Sequence, residues 1–252
     1  MKYAVVTGTS RGLGRSIAMF FLEAGIHVYG LSRNKTDELA TKADENHVTY
    51  RDYVCDLSDI NQIETTIEQM AHDIYGNNPE AVYLVNNAAM LEPIAKAVDQ
   101  SPEQISKHIQ VNITAPMVLT NQFLKKGSET DIPLIGMMIT SGAANRPVYG
   151  WSAYCSSKAA LNMYVKTVAL EQDHLGTSHR VIAFNPGVMD TEMQEKIRAS
   201  SEESFKDVNT FRAYKEDNRL SEADMVASII VDIMGDEATI ENGKIYDISD
   251  YK

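Results

Sequence analysis

Tyr154 and Lys158 stand four residues apart in the run "GWSAYCSSKAALNMYVKTVAL", which otherwise has the composition of a helix. Residues at i and i+4 share a helix face, so the phenol and the ammonium are expected side by side, with small residues between them. That is a proton-transfer pair. A phenol is a poor acid or base at its ordinary pKa of about 10, and a fixed ammonium nearby favours the phenolate and brings the group toward working pH. Ser141 ends the apolar run "IGMMITS" upstream, so its hydroxyl is expected at a strand's carboxyl edge, placed to donate to a carbonyl oxygen. Asn112 falls inside a long helix expected from about Pro102 to Lys125, where asparagine is an awkward residue; a kink and a water contact are expected there. Each residue taken singly has a plainer role, as a half-buried helix residue, a cap or a core amide.

A second group lies near the start of the chain. "TGTSRGLG" places glycines at 8, 12 and 14 directly after an apolar strand and before a helix. Such a turn lets backbone amides approach a pyrophosphate and aims a helix N-terminus at it. The spacing is G-x-x-x-G-x-G, not the G-x-G-x-x-G of the dinucleotide fingerprint, so its position after a strand carries much of the weight. An NAD site places Asp or Glu at the end of the second strand, on the ribose 2′-hydroxyl. This chain has "GLSRNK" there. Arg33, with Arg11 in the glycine turn, suits a 2′-phosphate, so NADP(H) is expected over NAD(H). Asp56, in "CDL" after the third strand, is placed to accept from an adenine amino group, and Ser58 to cap the next helix.

The elements that must position these residues alternate regularly. Apolar runs occupy 3–8, 26–32, 48–57, 81–89, 132–141, 180–187 and 243–249, with amphipathic stretches between them. In "RSIAMFFLEAG", Ile17, Phe20, Phe21 and Ala24 are expected on one helix face, with Gly25 as the stop. Strands apolar on both faces, alternating with helices, predict an α/β chain: one Rossmann-type, doubly wound domain over residues 1–252, with a seven-stranded parallel sheet and helices on both faces. Residues 189–220 break the rhythm, being long, charged and rich in Ser and Glu. They read either as a substrate lid beyond the carboxyl ends of the strands or as a solvated helical excursion.

Composition excludes several classes. A net charge of −12 argues against a nucleic-acid or anionic membrane surface. Two cysteines cannot build a disulfide framework, and with no charged and apolar leader the expectation is a cytoplasmic protein. Cys155 reads as a small hydrophobe, not a redox group. No metal site is expected.

Together these motifs resemble the short-chain dehydrogenase/reductase family along essentially the whole chain. "TGTSRGLG" is similar to its TGxxxGxG turn and "NNAA" (86–89) to its NNAG element, with Ala89 in place of glycine; Asn112, Ser141, Tyr154 and Lys158 match its tetrad, and "NPGVMDTEM" its Pro-Gly segment. The resemblance implies that Tyr154 protonates the carbonyl oxygen as hydride arrives, Ser141 orients that oxygen, Lys158 lowers the tyrosine pKa and holds the nicotinamide ribose, and Asn112 positions a water. It also implies an NADPH/NADP+ site formed by Gly8, Ser10, Arg11, Gly12, Leu13, Gly14, Arg33, Asp56, Leu57, Asn86, Asn87, Ala88, Tyr154, Lys158, Pro186, Gly187, Val188 and Thr191, the last two meeting the carboxamide. A homodimer or homotetramer through the helices carrying Asn112 and Tyr154 is implied as well.

Within the family, "GWSAYCSSKAALNM", "NPGVMDTEMQ", "IRASS" and "NGKIYDI" resemble bacterial benzil reductases of the (S)-benzoin-forming type, and beyond them sepiapterin reductases. Both types reduce one carbonyl with NADPH. A pterin site of that kind would call for a carboxylate near where this chain has Lys244; Asp247 is close but is no direct substitute, so an aromatic α-dicarbonyl is favoured. Met90, Leu91, Tyr149, Trp151, Met189 and Met193 are its expected apolar contacts. The alternatives are a sepiapterin-type reductase, the reverse direction of alcohol oxidation with the same residues, or a non-catalytic NADP(H) sensor; the complete tetrad favours the enzyme.

Overall fold

The computed structural model describes residues 1–251. Seven strands form one parallel sheet: β1 (Lys2–Thr7), β2 (His27–Ser32), β3 (Tyr50–Val54), β4 (Ala81–Asn86), β5 (Leu134–Ile139), β6 (Arg180–Asn185) and β7 (Ile245–Asp247). Their order is β3-β2-β1-β4-β5-β6-β7, so the winding reverses between β1 and β4. Both neighbours of that reversal start from the same register, Tyr3 pairing with His27 on one side and Val82 on the other. A crevice opens at such a switch point, beyond the carboxyl ends of the strands.

Side chains alternate across the sheet because successive Cβ atoms point to opposite faces. Ala4, Val6, Val28, Tyr83, Val85, Met137 and Phe184 pack with α1 (Gly12–Glu23), α2 (Asp37–Glu45) and α9 (Ala223–Gly235). Val5, Tyr29, Leu31, Val82, Leu84 and Val181 pack with α3 (Ile60–Tyr75), α5 (Ala115–Thr130) and α6 (Ser152–Leu175) on the other. Residues buried on both faces are what a parallel sheet covered on each side requires. β3 departs from that pattern. As an edge strand it leaves Arg51 and Val54 exposed, so only part of the run 48–57 is strand.

In α1 the buried stripe runs through Leu13, Ile17, Ala18, Phe21 and Leu22, while Phe20 is half-buried and Ala24 is exposed. Contact with α9 on one flank turns the helix from the face that the apolar residues alone suggest. Gly25, at φ +76°, terminates the helix as expected. The predicted helix from Pro102 is interrupted by a π-helical turn, Gln110–Thr114, between α4 (Pro102–Ile109) and α5, and Asn112 sits in it. A π turn is a recognised cause of a kink at functional sites. Residues 189–220 carry α7 (Glu192–Arg198) and α8 (Val208–Glu216), closed at the base by a bridge between Met189 and Ser221. Among the described residues no helix is long and apolar enough to cross a membrane, and no metal-ligating cluster occurs.

Gly14 shows how tightly the switch point is packed. A Cβ there would stand 2.3 Å from the Gly8 carbonyl oxygen and 2.4 Å from Asn87 Nδ2. Gly14→Ala is therefore expected to cost about 1–3 kcal/mol through overpacking. Gly235, at the end of α9, has open space around it, and Gly235→Ala is expected to stabilise by about 0.4–1 kcal/mol. Urea unfolding of the two variants checks both signs.

Candidate active site

The carboxyl ends of the strands surround a cavity of about 610 Å³, within the usual size of a ligand site. The floor is knitted at the switch point. Thr7 Oγ1 accepts from the Asn87 and Ala88 amides at 3.0 and 2.9 Å, and Asn87 Nδ2 donates to the Thr7 carbonyl at 2.9 Å. Gly8 and Gly12 take positive φ, +78° and +54°, so the turn bends as only glycine does easily. Around Gly12 the nearest atom to a built Cβ is Thr191 Cγ2 at 3.8 Å, which leaves its backbone open toward the cavity.

The proton-transfer pair stands at the other end. Tyr154 and Lys158 are 7% and 3% exposed, and the Lys158 ammonium lies 5.6 Å from the Tyr154 ring centre. Burial pushes the Tyr154 phenol up to about 12, opposed by a hydrogen bond with Ser141. Burial likewise pulls the Lys158 ammonium down to about 8, while its Nζ donates to the Ile139 carbonyl at 2.8 Å. In the resting site the phenol therefore stands above its ordinary value and not below it, because desolvation is the largest cause for both groups and the ammonium is turned toward a backbone oxygen. Ser141 caps the short turn after β5, accepting from the Ala143 amide at 3.2 Å.

Asn112 is committed to a different partner from the expected water. Its Oδ1 accepts from the Met90 amide at 2.8 Å, and its Nδ2 donates to the Met90 carbonyl at 2.7 Å. The residue is 1% exposed and does not line the cavity. Its side chain instead fixes the loop after β4. His108, one turn earlier, extends this lock: Nδ1 faces the Glu92 carbonyl at 2.7 Å, which can only accept and so assigns the proton to Nδ1. Its Nε2 takes the Asn112 amide at 2.9 Å and lies 3.1 Å from Ser157 Oγ. Burial holds the His108 pKa below its ordinary value, so the ring is neutral at physiological pH. Sequence reading missed the roles of His108, Ser157 and Thr7; Thr7 and Ser157 stand inside quoted motifs and His108 in none, but the contacts that matter cross between elements.

Gly8, Ser10, Arg11, Gly12, Leu13, Arg33, Asp56, Leu57, Asn87, Ala88, Pro186, Gly187, Val188 and Thr191 all line the cavity with Ser141, Tyr154 and Lys158. Gly14 and Asn86 lie behind the wall. Gly14 serves close helix–strand packing, and Asn86 donates to Thr120 Oγ1 at 3.0 Å. Asp56 Oδ1 accepts from the Ser58 amide and hydroxyl at 2.9 and 2.8 Å; the backbone bond is the larger cause holding the carboxyl below its usual range, aided by Lys107 and Arg33. Lys107, on α4, is a cation of the cavity wall that the sequence did not reveal. Of the expected apolar contacts, Met90, Leu91, Trp151, Met189 and Met193 line the cavity, joined by Ile197 and Phe211, while Tyr149 does not. Cys155 is half-buried against the same apolar cluster.

A glycine turn open to an elongated cavity, three cations at one end and a serine–tyrosine–lysine group at the other fit a nicotinamide dinucleotide and a small carbonyl compound. The model of the short chain dehydrogenase family matches residues 2–202. The chain belongs to this family. This short-chain dehydrogenase is 38% identical to the benzil reductase ((S)-benzoin forming) of Bacillus subtilis over 251 residues, covering 100% of both chains. Against the enzyme of the same name from Bacillus cereus it is 34% identical over 237 residues, 94% of this chain and 95% of that one. The solved structure of the KRED1-Pglu enzyme matches it with a TM-score of 0.80 at 26% identity, covering 97% of this chain and 100% of the other. This short-chain dehydrogenase is thus an oxidoreductase of the CH–OH/C=O group that uses a nicotinamide cofactor, and it is a carbonyl reductase by likeness to its relatives.

Removing a partner from a buried main-chain group exposes the cost of leaving that group unpaired. Asn112→Ala and Thr7→Val each strand two such contacts, and each is expected to lower the unfolding free energy by about 1–3 kcal/mol, measured by urea titration.

Proposed function

We propose that this short-chain dehydrogenase is an NADPH-dependent reductase that converts one ketone of an aromatic α-dicarbonyl, such as benzil, to a chiral hydroxyketone. The observation that carries the reading is the continuity of one cavity, from the cationic glycine turn to Ser141 and Tyr154 beneath an apolar end formed by Leu91, Trp151, Met193 and Phe211. Full-length likeness to the Bacillus subtilis benzil reductase supports it.

Gly8, Ser10, Arg11, Gly12, Leu13, Arg33, Asp56, Leu57 and Thr191 would hold the dinucleotide, with Pro186, Gly187 and Val188 beside its nicotinamide, which supplies the hydride when bound. Arg11, Arg33 and Lys107 give the adenosine end the positive charge that a 2′-phosphate calls for. The substrate oxygen is held by the Ser141 hydroxyl and protonated by Tyr154. With its pKa at about 12, Tyr154 carries its proton throughout the physiological range and is competent as the acid. As the proton leaves, the phenolate is stabilised by the Lys158 ammonium on the same helix face. Asn112 and His108 act by holding the wall on which the substrate rests.

A pterin is the weaker reading. The Asp247 carboxylate accepts from Asn185 Nδ2 at 2.6 Å and from the Ser249 amide and hydroxyl at 2.9 and 2.7 Å, so it is already engaged. Residues 189–220 serve as the substrate lid in this reading, and Met163 and Leu170, exposed on α6, support assembly as a homodimer or homotetramer.

Loss of nicotinamide absorbance tests the proposal. Benzil with NADPH is expected to be turned over faster than sepiapterin or simple aldehydes, and Tyr154→Phe to lose roughly 10²–10⁴-fold; a preference for sepiapterin would sink the diketone reading. The rate has a pH signature. Lys158 must be protonated to support the phenolate, and its pKa is lowered to about 8. Reduction should therefore be full below that value and fall as pH rises through it. A profile flat from neutral to strongly alkaline pH would remove the ammonium from the chemistry.

A further inference from the structure

Arg11 is not free to meet a phosphate. Its Nη1 is ion-paired with Glu192, the first residue of α7, far along the chain. Both residues line the cavity, and Thr191 beside Glu192 is the nearest neighbour of the open Gly12 position. The first turn of α7 thus lies over the glycine turn with a carboxylate on the cation that the cofactor needs. Arg33, by contrast, makes no ion pair or hydrogen bond among the described residues. α7 has one other charged tie across the cavity, Lys196 to Glu92 at 2.7 Å.

We propose that Glu192 is a built-in competitor for Arg11: its carboxylate occupies the guanidinium that a 2′-phosphate would take, making it a specificity-determining residue that couples the identity of the cofactor to the anchoring of α7. This rests on the NADP(H) reading above. Energetics decide which partner wins. The pair is more than half exposed on both sides, 56% and 54%, and a pair so exposed is screened and weak. A phosphate dianion between two arginines makes charge-assisted, bidentate bonds and displaces the carboxylate. A ribose bearing only a 2′-hydroxyl has no charge with which to do so. Glu192 then repays the loss on product release, when the departing NADP+ hands Arg11 back.

Calorimetry of the full chain with adenosine 2′,5′-bisphosphate and with 5′-AMP tests this. Glu192→Gln is expected to tighten the bisphosphate about 3–10-fold while 5′-AMP stays within twofold, and the gain should vanish in an Arg11→Met background. Lys196→Met, which frees α7 without touching Arg11, should leave both affinities unchanged. In hydrogen exchange, saturating NADP+ should raise exchange in residues 192–198 above the level seen with saturating NAD+. Equal tightening of both nucleotides by Glu192→Gln, no tightening, the same gain from Lys196→Met, or no exchange difference each overturns the competitor. A wild-type protein that fails to prefer the bisphosphate over 5′-AMP overturns the NADP(H) reading itself and the inference with it, an outcome visible before any variant is made.

Discussion

The close approach of β1, β4 and α1 at the point where the sheet reverses is the constraint on which everything else depends. Thr7 bonds two amides of the loop after β4, and Gly14 lets the helix sit where a side chain would strike the Gly8 carbonyl. That contact leaves the crevice beyond the strands open, because the connections after β1 and β4 leave one tight junction toward opposite faces of the sheet. The segments after six strands, β1 to β6, then converge on it.

Burial does the electrostatic work at the reactive end. Tyr154 and Lys158 are both removed from water, and desolvation keeps the phenol protonated while bringing the ammonium near neutrality. The two shifts lie in opposite directions for the phenol and the ammonium, because burial favours the neutral form of each and the phenol is neutral with its proton, the amine without it. The neutral His108 beneath them keeps a charge out of a buried site and spends both nitrogens on holding Glu92, Asn112 and Ser157. Rigid walls of this kind place a substrate oxygen with the accuracy that proton transfer needs.

The segment around α7 and α8 adds an apolar layer over that end. Trp151 stacks on Phe205 at 4.7 Å and meets Phe211 edge-on at 5.6 Å, so the start of α6 and the excursion share a small core of their own. Its charged ties run the other way, to the glycine turn and to the loop after β4. Apolar contact fixes the segment at its base, and weak exposed pairs fix it at the rim. An acidic chain nevertheless concentrates Arg11, Arg33 and Lys107 at the glycine-turn end of the cavity, a local reversal of its overall sign.

Much of this was legible in the chain itself. Strand periodicity gives the parallel sheet, because burial on both faces demands unbroken apolar runs. Glycine spacing gives the turn, and the i, i+4 pair gives Tyr154 and Lys158, because backbone angles and helix geometry are local properties. The awkwardness of Asn112 in a helix pointed to the π turn, but not to Met90 as its partner. Direction of the pKa shifts, the turned buried stripe of α1, Lys107 on the wall, and the meeting of Arg11 with Glu192 depend on what stands across space. Burial, packing angle and ion pairing are set by residues remote in sequence, and only the folded chain brings them within reach.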